Sequence, residues 1–257
     1  MKLKLFLILY FLTYAIELRS HELWLEAEDF RLNKGSKLIA NIKVGENLIG
    51  ESYPFLKKET EKLFIQSSDK IYNLKQIDGD YPAIQQNINR TGVQYLYYQS
   101  NKELLKYDDF DTFLKFTQDY DLSYNDTKRE PPSEIYQRFA KMIFGNDFGN
   151  FFQSKSNLYF EIINQNNPLK NDVSKLLILL KNKPFKKKKF IVFFKDNGQF
   201  IKKKYQTDDN GFAIISTKLK GLYLISAVHL EKMNFINKIK YDADYFSKWA
   251  SLTFNKY

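Results

Sequence analysis

The sequence predicts a mainly β protein with two β-sandwich domains, immunoglobulin- or transthyretin-like in scale, and a short helical connection between them. Three observations carry this prediction. Short apolar runs alternate with turn residues at roughly ten-residue intervals. Asn-Gly occurs twice between apolar runs, at residues 197–198 and 210–211, and is a strong hairpin signal. Aromatic residues make up 17% of the 257-residue chain while Gly and Pro are few, which indicates a packed core.

Residues 1–20 are predicted to be a signal peptide. Lys2 and Lys4 precede an apolar run over residues 5–16, which is too short to cross a bilayer, since a membrane helix needs about 20 apolar residues. Cleavage after Ser20 would make His21 the first residue of the mature protein, and cleavage after Ala15 is the alternative. We therefore expect a periplasmic protein with no membrane span after signal cleavage. The chain has no Cys, so it can form no disulfide and carry no lipid on a cysteine.

Residues 21–107 are predicted to form the N-terminal β-sandwich. The apolar runs are separated by turn residues, among them Asn33-Lys34-Gly35 and Asp78-Gly79-Asp80. Strands are predicted within residues 23–32, 37–44, 63–67, 71–77 and 93–100.

Residues 108–150 are predicted to be the helical connecting segment. The spacing of Phe110, Phe113 and Phe116 is helical, and Asp108 and Asp109 suit a helix N-terminus. A second helix is predicted to begin with Ser133 as its N-cap and to end at Gly145. Its apolar face would carry Ile135, Phe139 and Met142.

Residues 151–257 are predicted to form the C-terminal β-sandwich. Apolar runs are again separated by turn residues, and residues 251–257 are predicted to be a terminal strand. The lysine runs at residues 186–189 and 202–204 flank one predicted hairpin. We interpret them as edge or solvent-facing lysines that discourage aggregation between sheets, rather than as a binding patch.

The formal net charge is +10. Residues 1–20 carry three basic residues and one acidic residue, so the mature chain would carry +8. A basic surface could attract lipopolysaccharide, anionic lipid or nucleic acid. We favour lysines spread over solvated faces and expect no nucleic-acid partner, because no motif of the nucleic-acid-binding folds is present.

The chain has only two histidines, His21 and His229, and no sequence motif of a known catalytic nucleophile or phosphate loop. If His21 begins the mature protein, its α-amino group and imidazole can both bind one metal ion. The imidazole of His229 would complete a three-nitrogen site, the arrangement called a histidine brace. Such donors suit Cu(II) or Ni(II). Asp242, Asp244 and Glu231 are weaker candidates for a further ligand. The alternative is that His21 is simply exposed and His229 is a core residue.

The residues at 21–26, His-Glu-Leu-Trp-Leu-Glu, resemble the His-Glu-Phe-Trp opening of a bacterial periplasmic family of unknown function, formerly described as a NikM-like nickel-uptake component. The resemblance continues through residues 43–51, 136–145, 207–215, 226–233 and 242–254. It implies an exported two-part β-sandwich protein associated with transition-metal uptake. Both histidines fall on His positions of the family pattern, and Trp24 and Trp249 match positions that we expect to pack around the site. The lysine-rich body, and Glu17 and Arg19 near the cleavage point, depart from the pattern.

Three functions are therefore considered. The leading hypothesis is a non-enzymatic periplasmic protein that binds Cu or Ni through His21 and His229 for uptake or delivery, with an envelope metal-transport protein as its partner. The second is a metal-free β-sandwich interaction module for an outer-membrane or envelope partner. The third, given least weight, is a copper oxidase or monooxygenase, because fold and site analogy do not establish a reaction.

Overall fold

The computed structural model describes residues 21–68, 70–124, 129–146, 151–196 and 198–257. The predicted signal peptide and Asn197 of the first Asn-Gly pair lie outside these residues. Within them the protein is mainly β, with two helices, so the predicted fold class is confirmed. The immunoglobulin- or transthyretin-like type stays a prediction. No helix in the described ranges has the length and apolar character needed to cross a membrane.

The described residues form seventeen strands and two helices. In order they are β1 (Glu22–Ala27), β2 (Lys37–Glu46), β3 (Ile49–Tyr53), β4 (Thr60–Gln66), β5 (Ile71–Asn73), β6 (Ile84–Asn87), β7 (Val93–Ser100), β8 (Glu103–Lys106), α1 (Phe110–Asp119), β9 (Ser133–Gly145), β10 (Phe160–Asn164), β11 (Val173–Leu180), β12 (Lys183–Pro184), β13 (Lys189–Asp196), β14 (Gln199–Gln206), β15 (Phe212–Ser216), β16 (Gly221–Lys232), α2 (Phe235–Tyr241) and β17 (Tyr245–Lys256).

The strands form three layers. A nine-stranded central sheet runs in the order β14-β13-β16-β17-β9-β7-β4-β5, with β8 also paired to β9. A four-stranded sheet of β1, β2, β3 and β6 covers one face, and a second of β10, β11, β12 and β15 covers the other. Strand β9 shows the division, because Ala140 and Met142 pack toward β1 and β2 while Phe139 and Ile143 pack toward β10 and β11.

The central sheet is continuous through the parallel pairing of β9 with β17, in which Arg138 lies opposite Trp249. Every other strand pair is antiparallel in the described part of the chain. Strands from residues 21–107 and from residues 151–257 therefore share one sheet. Each predicted sandwich supplies one outer sheet and part of the central sheet, so the two are not joined merely by a connecting segment.

The prediction of a second helix in that connecting segment is wrong, because residues 133–145 form β9. This thirteen-residue strand lies inside the central sheet and is buried on both faces. A strand buried on both faces carries apolar side chains without strict alternation, so the spacing of Ile135, Phe139 and Met142 imitates a helix.

The first helix of the segment is confirmed as α1. Asp109 is its N-cap, and its side chain accepts a hydrogen bond from Thr112 N at 2.6 Å. Phe113 and Phe116 are buried against the central sheet. The short helix α2 was not predicted.

The lysines at residues 202–204 lie on β14, which is an edge strand of the central sheet. All three are exposed, as are residues 186–189 on the other side of the β13–β14 hairpin. Their interpretation as edge and solvent-facing lysines is confirmed.

Candidate functional site at the start of strand β1

Strand pairing places His21 beside Glu46. In the antiparallel β1–β2 ladder Glu22 lies opposite Gly45, so the preceding residue, His21, faces Glu46. Side chains directly across an antiparallel pair share a face of the sheet. His21 Nδ1 accordingly lies 3.5 Å from Glu46 Oε1.

A tight hairpin fixes the position of Glu46. Strand β2 ends at Glu46 and β3 begins at Ile49, and the two residues between them, Asn47 and Leu48, have φ of 56° and 58°. Positive φ at both positions is the type I′ turn that suits the twist of a two-residue hairpin. The adjacent Gly45 and Gly50 are paired, and a Cβ on Gly45 would lie 2.1 Å from the Ile49 carbonyl oxygen. The hairpin therefore closes tightly only with glycine at this position.

The opposite face of β1 is anchored by a buried carboxyl group. Tyr120 Oη donates a hydrogen bond to Glu22 Oε1 at 2.7 Å and lies 3.0 Å from Ser226 Oγ. Glu22 is 7% exposed, and burial raises its pKa to about 7. These contacts tie β1 to α1 and β16 and so hold His21 in place.

His21 borders a cavity of about 320 Å³ between the β1–β3 sheet and the central sheet. Glu46 borders a neighbouring cavity of about 460 Å³, whose lining also contains Glu22 and Lys202. The His21–Glu46 pair therefore lies between two cavities. The polar and aromatic lining of the His21 cavity comprises Tyr53, Glu59, Tyr98, Ser100, Glu103, Glu134, Tyr136, Arg138 and Trp249.

One face of β9 supplies three of these side chains. Glu134, Tyr136 and Arg138 occupy alternate positions, so they project from the same face of the strand. Glu134 is 1% exposed, and its Oε1 accepts a hydrogen bond from Ser247 Oγ at 3.1 Å. Its Oε2 has no partner with hydrogen-bond geometry. Burial raises the pKa of Glu134 to about 7, against smaller lowering effects of Ser247, Arg138 and the Tyr107 hydroxyl.

Arg138 is the cationic group of this cavity. Its Nη2 donates to the His21 carbonyl oxygen at 3.4 Å, and its guanidinium carbon lies 4.4 Å from the centre of the Tyr136 ring. Its Nε is buried without a hydrogen-bond partner. Tyr136 Oη donates a short hydrogen bond to Glu103 Oε2.

His229 lies on the opposite face of the central sheet from His21. Trp249 lines the His21 cavity, so its neighbour Lys248 projects from the other face. His229 is paired with Lys248 in the β16–β17 ladder and shares that other face. There it stands edge-on to Phe185, with ring centres 6.1 Å apart. The predicted site shared by His21 and His229 therefore does not form, because the sheet itself separates the two imidazoles.

The weaker candidate ligands are engaged elsewhere. Glu231 Oε2 lies 3.5 Å from His229 Nε2, and its Oε1 accepts a short hydrogen bond from Lys248. Hydrogen bonding from His229 and Lys248 lowers the pKa of Glu231 to about 2. Asp242 is exposed and paired with Lys106 at 3.0 Å.

Asp244 is paired with Lys238 and accepts a hydrogen bond from Ser133 N at 3.0 Å, so it secures the start of β9. Within the ranges that the structure describes, no three His, Asp or Glu residues are grouped so as to hold a metal ion. A metal site at His21 consequently needs a donor beyond the side chains, and the α-amino group of a mature N-terminus is one.

Trp249 packs around the His21 cavity, as expected, whereas Trp24 does not line it. Trp249 lines the cavity, and Trp24 is fully buried on the other side of β1, in the same hydrophobic cluster as Trp249. Sequence patterns did not indicate Glu46, Glu134 or Arg138 as residues of the site. Glu46 could have been found by pairing residues 21–27 with residues 40–46 across the predicted turn at 33–35. Glu134 and Arg138 were not found because residues 133–145 were predicted to form a helix, although they form β9.

Comparison with known proteins confirms a family of unknown function, while its periplasmic origin and nickel-uptake description stay predictions. A family model described as a domain of unknown function, DUF4198, matches residues 18–231, which is most of the chain and contains both histidines. No curated protein matches the chain.

Proposed function

The chain belongs to the DUF4198 family of unknown function, and we propose that it is an exported periplasmic protein that binds one Cu(II) or Ni(II) ion at His21. The ligands would be the His21 amine, His21 Nδ1 and the Glu46 carboxylate. The observation that carries the proposal is the 3.5 Å separation of His21 Nδ1 from Glu46 Oε1 at the edge of a cavity.

The distance between the donor atoms of His21 and Glu46 suits two ligands of one metal ion. Metal–nitrogen and metal–oxygen bonds of about 2.0–2.2 Å place two ligand atoms of one ion roughly 3–3.6 Å apart when they subtend an angle between about 90° and 115°. The 3.5 Å between Nδ1 and Oε1 lies in that range. The amine and Nδ1 belong to one residue and close a chelate ring on the same ion.

The pKa values of the donor groups also suit metal binding near neutral pH. A free α-amino group has a pKa of about 8 and an imidazole one of about 6.5, so both can lose their protons to a metal near neutral pH. Glu46 supplies a negative charge for a divalent cation. Metal affinity is therefore expected to fall as the pH drops below about 6.5, because protons then compete for the nitrogen donors.

This proposal depends on signal peptide removal after Ser20, which creates the amine. The role of the site would be to hold the metal for uptake or for delivery to an envelope metal-transport protein. His229 has no part in it, although both histidines fall within the family match.

The test combines the mass of the exported protein with Cu(II) titration by calorimetry. We expect a mature protein that begins at His21 and binds one Cu(II). His21→Ala should weaken binding by about 100-fold or more, and Glu46→Gln by about tenfold, since the substituted groups are direct ligands. The matched control is His229→Ala, which alters the only other imidazole and should leave the affinity unchanged.

A mature protein that begins at another residue would contradict the proposal. So would copper affinity that survives His21→Ala, or that is lost in His229→Ala.

A second candidate, the metal-free interaction module, is favoured by an apolar surface on α2. Phe235, Ile236 and Ile239 are 77%, 75% and 68% exposed at the tip of the β16–β17 hairpin. Large exposed apolar side chains in a group are typical of a docking surface. This candidate predicts that Phe235→Ser with Ile236→Ser abolishes capture of an envelope partner by the exported protein, and that removal of metal leaves capture intact.

A further inference from the structure

We propose that the cavity beside His21 binds a small zwitterion of amino-acid to dipeptide size, with its carboxylate at Arg138 and its ammonium group at Glu134 and Glu103. This ligand site adjoins the proposed metal site, since His21 lines the same cavity, but it uses other side chains and needs no metal. Arg138, Glu134 and Glu103 all line this cavity and form no ion pair with one another.

Arg138 presents an incomplete set of hydrogen bonds to the cavity. Its Nε is buried and has no acceptor, and Nη2 has only the His21 carbonyl oxygen at 3.4 Å. Arg138 takes part in none of the salt bridges of the described residues, so no carboxylate there lies within ion-pair distance of its guanidinium group. A guanidinium group binds a carboxylate through two parallel hydrogen bonds, and the Tyr136 ring beneath Arg138 holds its plane for this.

Glu134 presents the complementary end. It is almost completely buried and lines the cavity. Its Oε2 has no partner with strict hydrogen-bond geometry, although the Tyr107 hydroxyl is close enough to lower the pKa of Glu134. Buried polar groups are nearly always satisfied, so an ammonium group at this end of the cavity would give Oε2 the well-aligned donor that it lacks. An ammonium group supplies up to three donors and could reach Glu134 and a second carboxylate together.

Glu103 is that second carboxylate. In the β8–β9 ladder it lies opposite Tyr136, and the next residue on its face, Leu105, lies opposite Glu134. Both side chains line the cavity. Glu103 and Glu134 thus lie toward the start of β9, and the guanidinium lies further along the strand. A third carboxylate, Glu59, lines the same cavity and interacts electrostatically with both Glu103 and Arg138.

The spacing limits the size of the ligand. Glu134 and Arg138 are four residues apart on one strand, which separates their Cα atoms by roughly 13 Å, and both side chains can lean toward each other. A cavity of about 320 Å³ holds a molecule of amino-acid to dipeptide size. Leu23, Ile42, Val44 and Leu56 provide an apolar wall that suits an aliphatic side chain.

The probe is the dipeptide alanyl-leucine, titrated by calorimetry into the metal-free protein that begins at His21. N-acetyl-alanyl-leucine lacks the ammonium group, and alanyl-leucine amide lacks the carboxylate. We expect alanyl-leucine to bind and each capped form to bind roughly tenfold or more weakly, because each cap removes a charge-assisted hydrogen bond.

Two variants assign the ends. Arg138→Met should make the acid and its amide bind equally. Glu134→Gln should narrow the difference between the free and acetylated amines, and Glu134→Gln with Glu103→Gln should remove it. The matched control, His229→Ala, lies on the other face of the sheet and should bind alanyl-leucine as the unaltered protein does. If Arg138→Met fails to fold, the proposal is still tested by the affinities of Arg138→Lys and by those of the unaltered protein for the three peptides.

The proposal is overturned if alanyl-leucine shows no binding at millimolar concentration, or if the capped peptides bind as well as the free one. Failure of copper binding at His21 would leave these results unaffected, so the two proposals fail separately.

Discussion

Buried charged side chains are paired with each other on one face of β9 and are not paired with each other on the opposite face. On one face, Lys141 Nζ lies 2.8 Å from Glu161 Oε1 and donates to the Ser154 carbonyl oxygen at 3.0 Å. Glu161 also accepts hydrogen bonds from Ser156 N at 3.0 and 3.2 Å. On the other face, Arg138 and Glu134 line a cavity, and each keeps a polar atom without a partner.

The difference separates structural charge from charge that is open to a ligand. Lys141 and Glu161 are each 2% exposed and satisfy one another, so they can hold the layers together without any outside partner. The charges of the cavity have no such mutual pairing. His229, Glu231 and Lys248 lie on the Lys141 side and also form a closed set.

Removal of Lys141 should cost the most. Lys141→Met leaves the carboxylate of Glu161 buried without its cation, and breaking a buried ion pair in this way typically lowers the free energy of unfolding by about 3–5 kcal/mol. Arg138→Met removes a cation that no carboxylate pairs with, so the cost should stay below about 1 kcal/mol. Urea unfolding of both variants measures this. Equal losses of unfolding free energy in the two variants would contradict the proposed difference between the two faces of β9.

The pH dependence of stability should come from Glu22 and Glu134. Burial raises the pKa of each to about 7, above the value of about 4.5 in the unfolded chain, so the folded state binds the extra protons. Their favourable effect is present below about pH 4.5 and is lost as the pH rises through about 7. Each carboxyl should then cost the folded state about 3 kcal/mol at pH 8 relative to pH 4.5.

Glu22→Gln and Glu134→Gln should therefore each flatten the change in unfolding free energy between pH 5 and pH 8. Both variants keep an oxygen acceptor for Tyr120 or Ser247 and remove only the titration. Glu28→Gln, at an exposed position, is the control and should leave the slope as it is. A slope that the two buried variants do not change would contradict the assignment.

His229→Ala should have the smallest effect. The imidazole is partly exposed, and it contributes one edge contact with Phe185 and one contact of 3.5 Å with Glu231. We expect a loss of less than about 1 kcal/mol in the free energy of unfolding, as for other partly exposed polar side chains. A loss above about 2 kcal/mol in thermal or urea unfolding would show that the closed set on this face depends on the imidazole.

Sequence patterns predicted the fold class and α1 because both depend on neighbouring residues. Asp109 caps α1 and the phenylalanine spacing marks its buried side, and these signals act within one or two turns of helix. Strand β9 was missed because both of its faces are buried, which removes the alternation that identifies a strand.

The site depends on information that a local pattern does not contain. His21 meets Glu46 through the register of β1 and β2, which a correct hairpin assignment would give. The separation of His21 from His229 depends on which face each strand turns toward the two outer sheets. That choice is made by packing across three layers, so the pairing of the two scarce histidines was a reasonable hypothesis that the tertiary structure excludes.

The central claim is that only the face with the cavity carries the metal site. Electron paramagnetic resonance of the Cu(II)-loaded mature protein counts the nitrogen atoms bound to the metal. We predict coupling to two nitrogens, from the His21 amine and imidazole, in spectra that are the same for the unaltered protein and for His229→Ala. Coupling to a third nitrogen that disappears in His229→Ala would contradict the claim and would restore the two-histidine site.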